Sequence, residues 1–145
     1  MATDEALNPY GNYYFSLEIG GVEVAHFMEC QGLKSSSQVF EIEEGGLNSR
    51  THKRPGQSRW ENIVLRYATN ASTHLLQWRD MFLRDQFGDR RDGTITLMNN
   101  AGEPIRAWSF KGAWPVSWEG PQLNSGSSEL AVETLELAHE GLSVA

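Results

Sequence analysis

Cysteine is nearly missing from this chain of 145 residues: Cys30 stands alone. A single thiol cannot close an internal disulfide, so no disulfide framework for an oxidising compartment is expected. The first residues, MATDEALNPYGNYYF, carry neither a basic cluster nor an apolar run, so no signal peptide is predicted and synthesis in a bacterial cytoplasm is expected. No apolar stretch approaches the roughly 20 residues of a membrane helix, so no direct membrane anchoring is expected. Positive charge is also scarce. The net charge of −7 argues against coating nucleic acid, which needs a broad basic field.

Signatures of chemistry are missing too. There is no G-x-S-x-G, no H-E-x-x-H and no Walker loop. His26, His52, His74 and His139 show no metal-ligand spacing. Gly45 and Gly46 precede a basic stretch, but they do not lead into a helix N-terminus, as a phosphate cradle requires. Ser16 and Glu18 form a hydroxyl–carboxylate pair of a kind any barrel offers. Cys30 has no basic neighbour to activate it and reads as a small buried residue. No enzyme activity, cofactor or metal is expected.

What is present is β-patterning. Residues 1–12 read as a polar N-terminal arm. In 13–19, Tyr13, Phe15, Leu17 and Ile19 share a face, and Gly20-Gly21 is a hairpin signal before 22–28. Cys30-Gln31-Gly32 breaks that strand, and Ser35–Ser37 reads as loop. Further strands are predicted over 38–44, 60–67, 94–99, 105–111, 114–119 and 129–139, with Gly112 separating two of them. The only helix is predicted over about 72–87, capped by Asn70 or Ser72 and ended by Gly88. Leu75, Trp78, Met81 and Phe82 lie on one of its sides. Leu76, Leu83 and Phe87 lie on another, with Arg79 and Gln86 between. Such an arc suits a helix packed on its own barrel and also against a partner, making Leu76, Arg79 and Leu83 interface candidates. One wide core stripe with a snorkelling arginine is the plainer alternative. The fold class expected is mainly β: a small antiparallel barrel or sandwich with one flanking helix, as a single domain over 1–145.

Three features call for a partner or a cargo. The stretch 44–60, EGGLNSRTHKRPGQSRW, packs Arg50, His52, Lys53, Arg54 and Arg59 into an acidic chain, with Gly45, Gly46 and Pro55 as breakers. It reads as a long loop, 45–59, that leaves its own barrel to dock on acidic residues of a neighbour. Trp108, Trp114 and Trp118 fall close together. They suit core and interface anchoring, or alternatively a stacking platform on a monomeric glycan-binding module. Glu41 and Glu43 alternate with Phe40 and Ile42. They are the candidates for an acidic surface past which cargo moves without sticking.

These pieces occur in a familiar order: Asn8-Pro9-Tyr10; Tyr14 to Ile19 with Gly20-Gly21; Phe27-Met28-Glu29-Cys30-Gln31-Gly32-Leu33 as F-x-E-x-x-G-L. Then follow Glu44-Gly45-Gly46, Lys53-Arg54-Pro55-Gly56, Leu76 with Trp78 and Arg79, Trp108-Ser109-Phe110, Pro115 and Trp118, and the ending ETLELAHEGL. Over nearly its whole length the chain resembles the T4-like tail tube family, the inner tube proteins of contractile phage tails and contractile injection systems. The resemblance implies six subunits joined into a ring with a continuous β-barrel lumen. Rings would stack head to tail into a hollow tube surrounded by a contractile sheath. Its other partners would be baseplate or hub and tube-terminating proteins, with protein cargo or DNA in the lumen. The secreted ring protein of type VI secretion shares that fold. Between versions, the compact length and the ending resemble the injection systems, so the expected location is an extracellular or cell-associated contractile particle, with a phage virion tail as the alternative.

Overall fold

The computed structural model describes residues 14–43, 51–69, 73–85, 88–126 and 131–144, with Ala25, His26 and Glu43 described by backbone alone. The N-terminal arm, Gly45, Gly46, Arg50 and the capping candidates Asn70 and Ser72 lie outside them.

The strands are β1 (Tyr14–Ile19), β2 (Val22–Phe27), β3 (Glu29–Gln31), β4 (Ser35–Glu43), β5 (Thr51–Trp60) and β6 (Ile63–Ala68). The helix α1 (His74–Arg84) follows, then β7 (Arg91–Met98), β8 (Pro104–Glu119), β9 (Val132–Ala138) and β10 (Gly141–Val144). Antiparallel pairing runs β2-β1-β7-β8-β9-β6-β3. Only Met28 separates β2 from β3, and its N–H donates to the Arg66 carbonyl at 2.8 Å. One kinked strand therefore pairs with β1 at its start and β6 at its end, and the sheet closes on itself. Closure removes the open edges that make small sheets sticky.

Alternation explains the core. Leu17 and Ile19 on β1, Ile63, Leu65 and Tyr67 on β6, and Leu135 and Leu137 on β9 all point inward. Gly20 and Gly21 have φ of 62° and 82°, the left-handed geometry of a tight hairpin turn, with Ile19 opposite Val22. The helix closes one flank of the barrel by burying Leu75, Trp78 and Phe82. The Phe82 and Trp114 rings stack at 5.6 Å, and Trp78 Nε1 donates to the Asp89 carbonyl at 2.8 Å.

Several expectations need correction. The stretch read as two strands around Gly112 is one sixteen-residue strand, β8. Gly112 sits in it at φ 62°, donating its N–H to Asp92 Oδ1 at 3.0 Å, and the bend lets β8 pair with β7, β9 and β10. The predicted 60–67 strand is divided, with Trp60 ending β5 and Ile63 beginning β6. The helix begins after Thr73, whose side chain makes no capping bond to the backbone, and ends at Arg84 before Gly88. Met81, on the helix side shared with Leu75, Trp78 and Phe82, is 39% exposed while those three are buried. The serines at 35–37 are strand, not loop, and β10 is an extra strand.

The largest correction is the basic stretch. From Thr51 onward it is not a loop but β5, paired with β4 in a separate two-stranded sheet. Alternation did not betray it because neither face reaches a core, so no apolar period is imposed. The extra residue on β5, between Pro55 and Ser58, is a bulge that accommodates Pro55-Gly56 inside a strand.

The root of this hairpin is fixed at Gly32. Its φ is 92°, and a Cβ there would collide with the backbone carbonyl of Asn62. Glu61 N–H donates to the Lys34 carbonyl at 3.0 Å just beside it. Gly32→Ala combines left-handed strain with a backbone clash. It should cost about 3 kcal/mol, read as a fall in the thermal midpoint. Gly102→Ala, at φ 79° with open space around it, should cost markedly less. Equal losses at the two sites would show that Gly32 contributes only its backbone freedom.

Candidate assembly surfaces

The two strands of the hairpin pair from Ser35 with Trp60 out to Glu43 with Thr51. At about 3.3 Å per residue the nine residues of β4 span about 30 Å. Phe40 lies opposite Arg54 and Ile42 opposite His52; Val39 lies opposite Pro55 and Glu41 opposite Lys53. The first set forms one face and the second the other. Phe40, Val39 and Ile42 are exposed by 56%, 59% and 41%, so neither face has a cover of its own. Of the expected basic residues, His52, Lys53, Arg54 and Arg59 are all exposed along β5. Glu41 is exposed as well and lies opposite Lys53 rather than on a purely acidic surface, and Glu43 pairs with Thr51 in the register.

The base of the hairpin rests on the barrel through an aromatic contact. The Trp60 ring and the His139 imidazole are 5.9 Å apart, and His139 Nε2 is 3.1 Å from the Glu61 carbonyl. His139 thus ties the end of β9 to the chain leaving β5, a role its position in sequence did not reveal.

The second surface is the outer side of α1. Leu76, Arg79 and Leu83 come together there, as expected from the helix wheel, and Trp118 of β8 joins them to line a groove of about 500 Å³. Arg79 is fixed, its guanidinium donating to the Pro115 carbonyl at 3.1 Å. Trp118 is held by a long hydrogen bond, 3.5 Å, from Nε1 to Glu133 Oε2. Its ring edge lies against Gly120, where a Cβ would come within 2.9 Å. Glu133 is 7% exposed on the face of β9 that also carries Leu135 and Leu137. A carboxylate in register with buried leucines was the available signal for this site. Tyr67, also buried, bonds to Glu133. Burial, then the hydrogen bond and negative charge of Glu133, push its hydroxyl well above the usual range, against the opposing effect of Trp118.

The three clustered tryptophans do not form a platform. Trp108 and Trp114 pack against the core, and Trp118 is the exposed one of the three. Stacking of sugar or bases needs several open rings in line.

A family model described as T4-like virus tail tube protein gp19 matches residues 11–143. The chain belongs to that tail tube family. Among solved structures, it is similar to a chain of an extracellular contractile injection system, the PVC sheath-tube complex in its extended state. They share 26% identity over 100% of this chain and 97% of the other, with a TM-score of 0.80. It is likewise similar to a chain of the anti-feeding prophage baseplate, at 26% identity over 95% and 96%, TM-score 0.77. Hcp1 from Flavobacterium johnsoniae, at 18% identity over 90% and 94%, TM-score 0.55, shares the fold. No curated protein matches. The protein is thus a tail tube protein, and the glycan-binding alternative has no support.

Two titratable groups of this tail tube subunit are open to direct test: Cys30, expected to be buried but half-buried in the structure, and the buried Tyr67. Burial raises the Cys30 thiol from 9.0 to about 11. The unfolded chain therefore loses this proton first, and stability should fall as pH rises from about 9 to about 11. Tyr67 acts in the same direction, from the ordinary tyrosine range near 10 upward. Thermal midpoints against pH should show this decline, and Cys30→Ala should flatten its lower part. A midpoint constant from pH 8 to 11 would contradict the half-buried position of Cys30 and the buried position of Tyr67.

Proposed function

We propose that the chain is the structural inner tube subunit of a contractile injection particle, acting as one domain over 1–145 and without catalysis. The carrying observation is a tail tube match over 11–143 on a barrel that closes its own sheet yet projects an uncovered basic hairpin. Six subunits join into a ring with a continuous β-barrel lumen, and rings stack head to tail. Cyclic contacts close in the plane, while axial head-to-tail contacts do not close and give a filament. The anti-feeding prophage baseplate to which the chain is similar is described as 6-fold symmetrised, which supports the ring size.

The partners that follow are further copies of the chain, a contractile sheath, baseplate or hub proteins and a tube-terminating protein. Similarity to chains of a sheath-tube complex and a baseplate supports the first three. Both of those particles are injection systems, which favours protein cargo over DNA in the lumen and places the assembled tube in an extracellular particle. Glu41 and Glu43 line the lumen in this reading. The segment 45–59, with Gly45, Gly46, Arg50, His52, Lys53, Arg54, Pro55 and Arg59, makes the inter-subunit contact. No helix among the described residues is long and apolar enough to cross a membrane; the sheath drives the tube through the target envelope.

Electron microscopy of purified protein, with solution mass on the same sample, should show six-fold rings or hollow tubes. A homogeneous monomer across concentration and salt, also in the presence of baseplate nuclei, would refute the reading. Changing Arg50, Lys53 and Arg54 together to Glu should leave a folded subunit that does not stack. Raising salt from 0.1 M to 1 M, where the Debye length falls to about 3 Å, should lower wild-type stacking several-fold. Salt-independent stacking would assign the junction to apolar contact alone.

A further inference from the structure

Two groups of exposed large apolar side chains stand apart on this subunit. One is the hairpin face bearing Phe40 and Ile42; the other is the α1 groove bearing Leu83 and Trp118. The hairpin needs a cover. A two-stranded ribbon is marginal in water unless a third layer packs on it, and β4 and β5 pack principally on each other. The Phe40 ring rests on Gly56, where a Cβ would come within 2.6 Å of it, and the residue is still 56% exposed. The groove is built to receive. Its tryptophan is tethered from below by Glu133, and its arginine is held by the Pro115 carbonyl. Side chains ordered before contact lose little entropy on binding, and tryptophan and arginine are the usual anchors of interfaces.

We propose that the Phe40/Ile42 face of the hairpin docks in the α1 groove of a second copy of the same chain, against Leu76, Leu83 and Trp118. This rests on the tube reading above and names the contact within it. The occupant is a second copy because the two apolar groups are separate surfaces of one subunit, each lacking what the other offers. One charge pairing is available: the hairpin face carries Arg54 and His52, and the groove carries the carboxylate of Asp80 beside Arg79, which is engaged with the Pro115 carbonyl. Asp80 is already 2.9 Å from Arg84, an exposed i,i+4 pair of small value, so it can accept a second guanidinium. Each subunit gives one hairpin and accepts one, a heterologous contact that repeats from copy to copy.

The test is photo-crosslinking from within assembled tubes. Phe40→p-benzoylphenylalanine keeps an aromatic ring at the site, and Ile42→p-benzoylphenylalanine serves as a second probe should the first fail to assemble. Tubes are confirmed by electron microscopy, irradiated and mapped by mass spectrometry. The expected product is a covalent dimer joining the β4 peptide to residues 74–84 or 114–119. In the same preparations Leu83→Asp should abolish tubes, Leu123→Asp, at a separate exposed leucine, should not, and Arg54→Asp with Asp80→Arg should assemble better than either alone. Dimers linked elsewhere on the second copy, links to a sheath subunit when sheath is present, or tubes unaffected by Leu83→Asp would each overturn this docking while leaving the tube intact. Absence of tubes from the wild-type chain under nucleating conditions would overturn the tube reading itself.

Discussion

Backbone groups at a sheet edge must find partners, and that requirement organises this protein. The barrel meets it internally. The Met28 kink turns one strand toward both β1 and β6, and the Gly112 bend lets β8 serve three neighbours. Because those edges are closed, the domain does not aggregate through them. The β4–β5 hairpin stands outside that closure: two long strands paired only with each other, with both faces open. Among the described strands, unpaired backbone and uncovered faces are thereby concentrated in this hairpin.

A projecting element is useful only if its direction is fixed. Three contacts at its root do this. Gly32 lies against the Asn62 carbonyl, Glu61 donates to Lys34, and Trp60 packs on His139. The first tolerates no side chain, and the last ties the root to the end of β9. The α1 groove is fixed by a comparable device. Buried Glu133 accepts from both Tyr67 and Trp118, so a core residue and an exposed ring share one carboxylate. Neither surface has to be ordered at the moment of contact, which lowers the entropy lost in assembly.

The parts of the fold that were legible in the sequence are those facing the core. Leu17 with Ile19, and Leu135 with Leu137, announce their strands because one face is buried. The hairpin at Gly20-Gly21 is announced by turn chemistry. The outer face of α1 was legible as well, because Leu76 and Leu83 fall off the stripe of Leu75, Trp78 and Phe82. What misled was absence of burial: β5 reads THKRPGQSRW, with no apolar alternation, a proline and a glycine. Its pairing is imposed by β4 across the bulge, a non-local cause that composition does not record. Trp118 was seen only as part of a cluster, since its partner Glu133 lies on another strand.

Polarity follows from these two surfaces being different. If the hairpin met another hairpin, the contact would be two-fold and assembly would end at a dimer. A hairpin meeting a groove leaves a free hairpin at one end and a free groove at the other, however many copies join. Every such array has distinguishable ends. On the proposed hairpin-to-groove contact, the joint that would lengthen a tube would also give it direction, with no separate element needed to encode it.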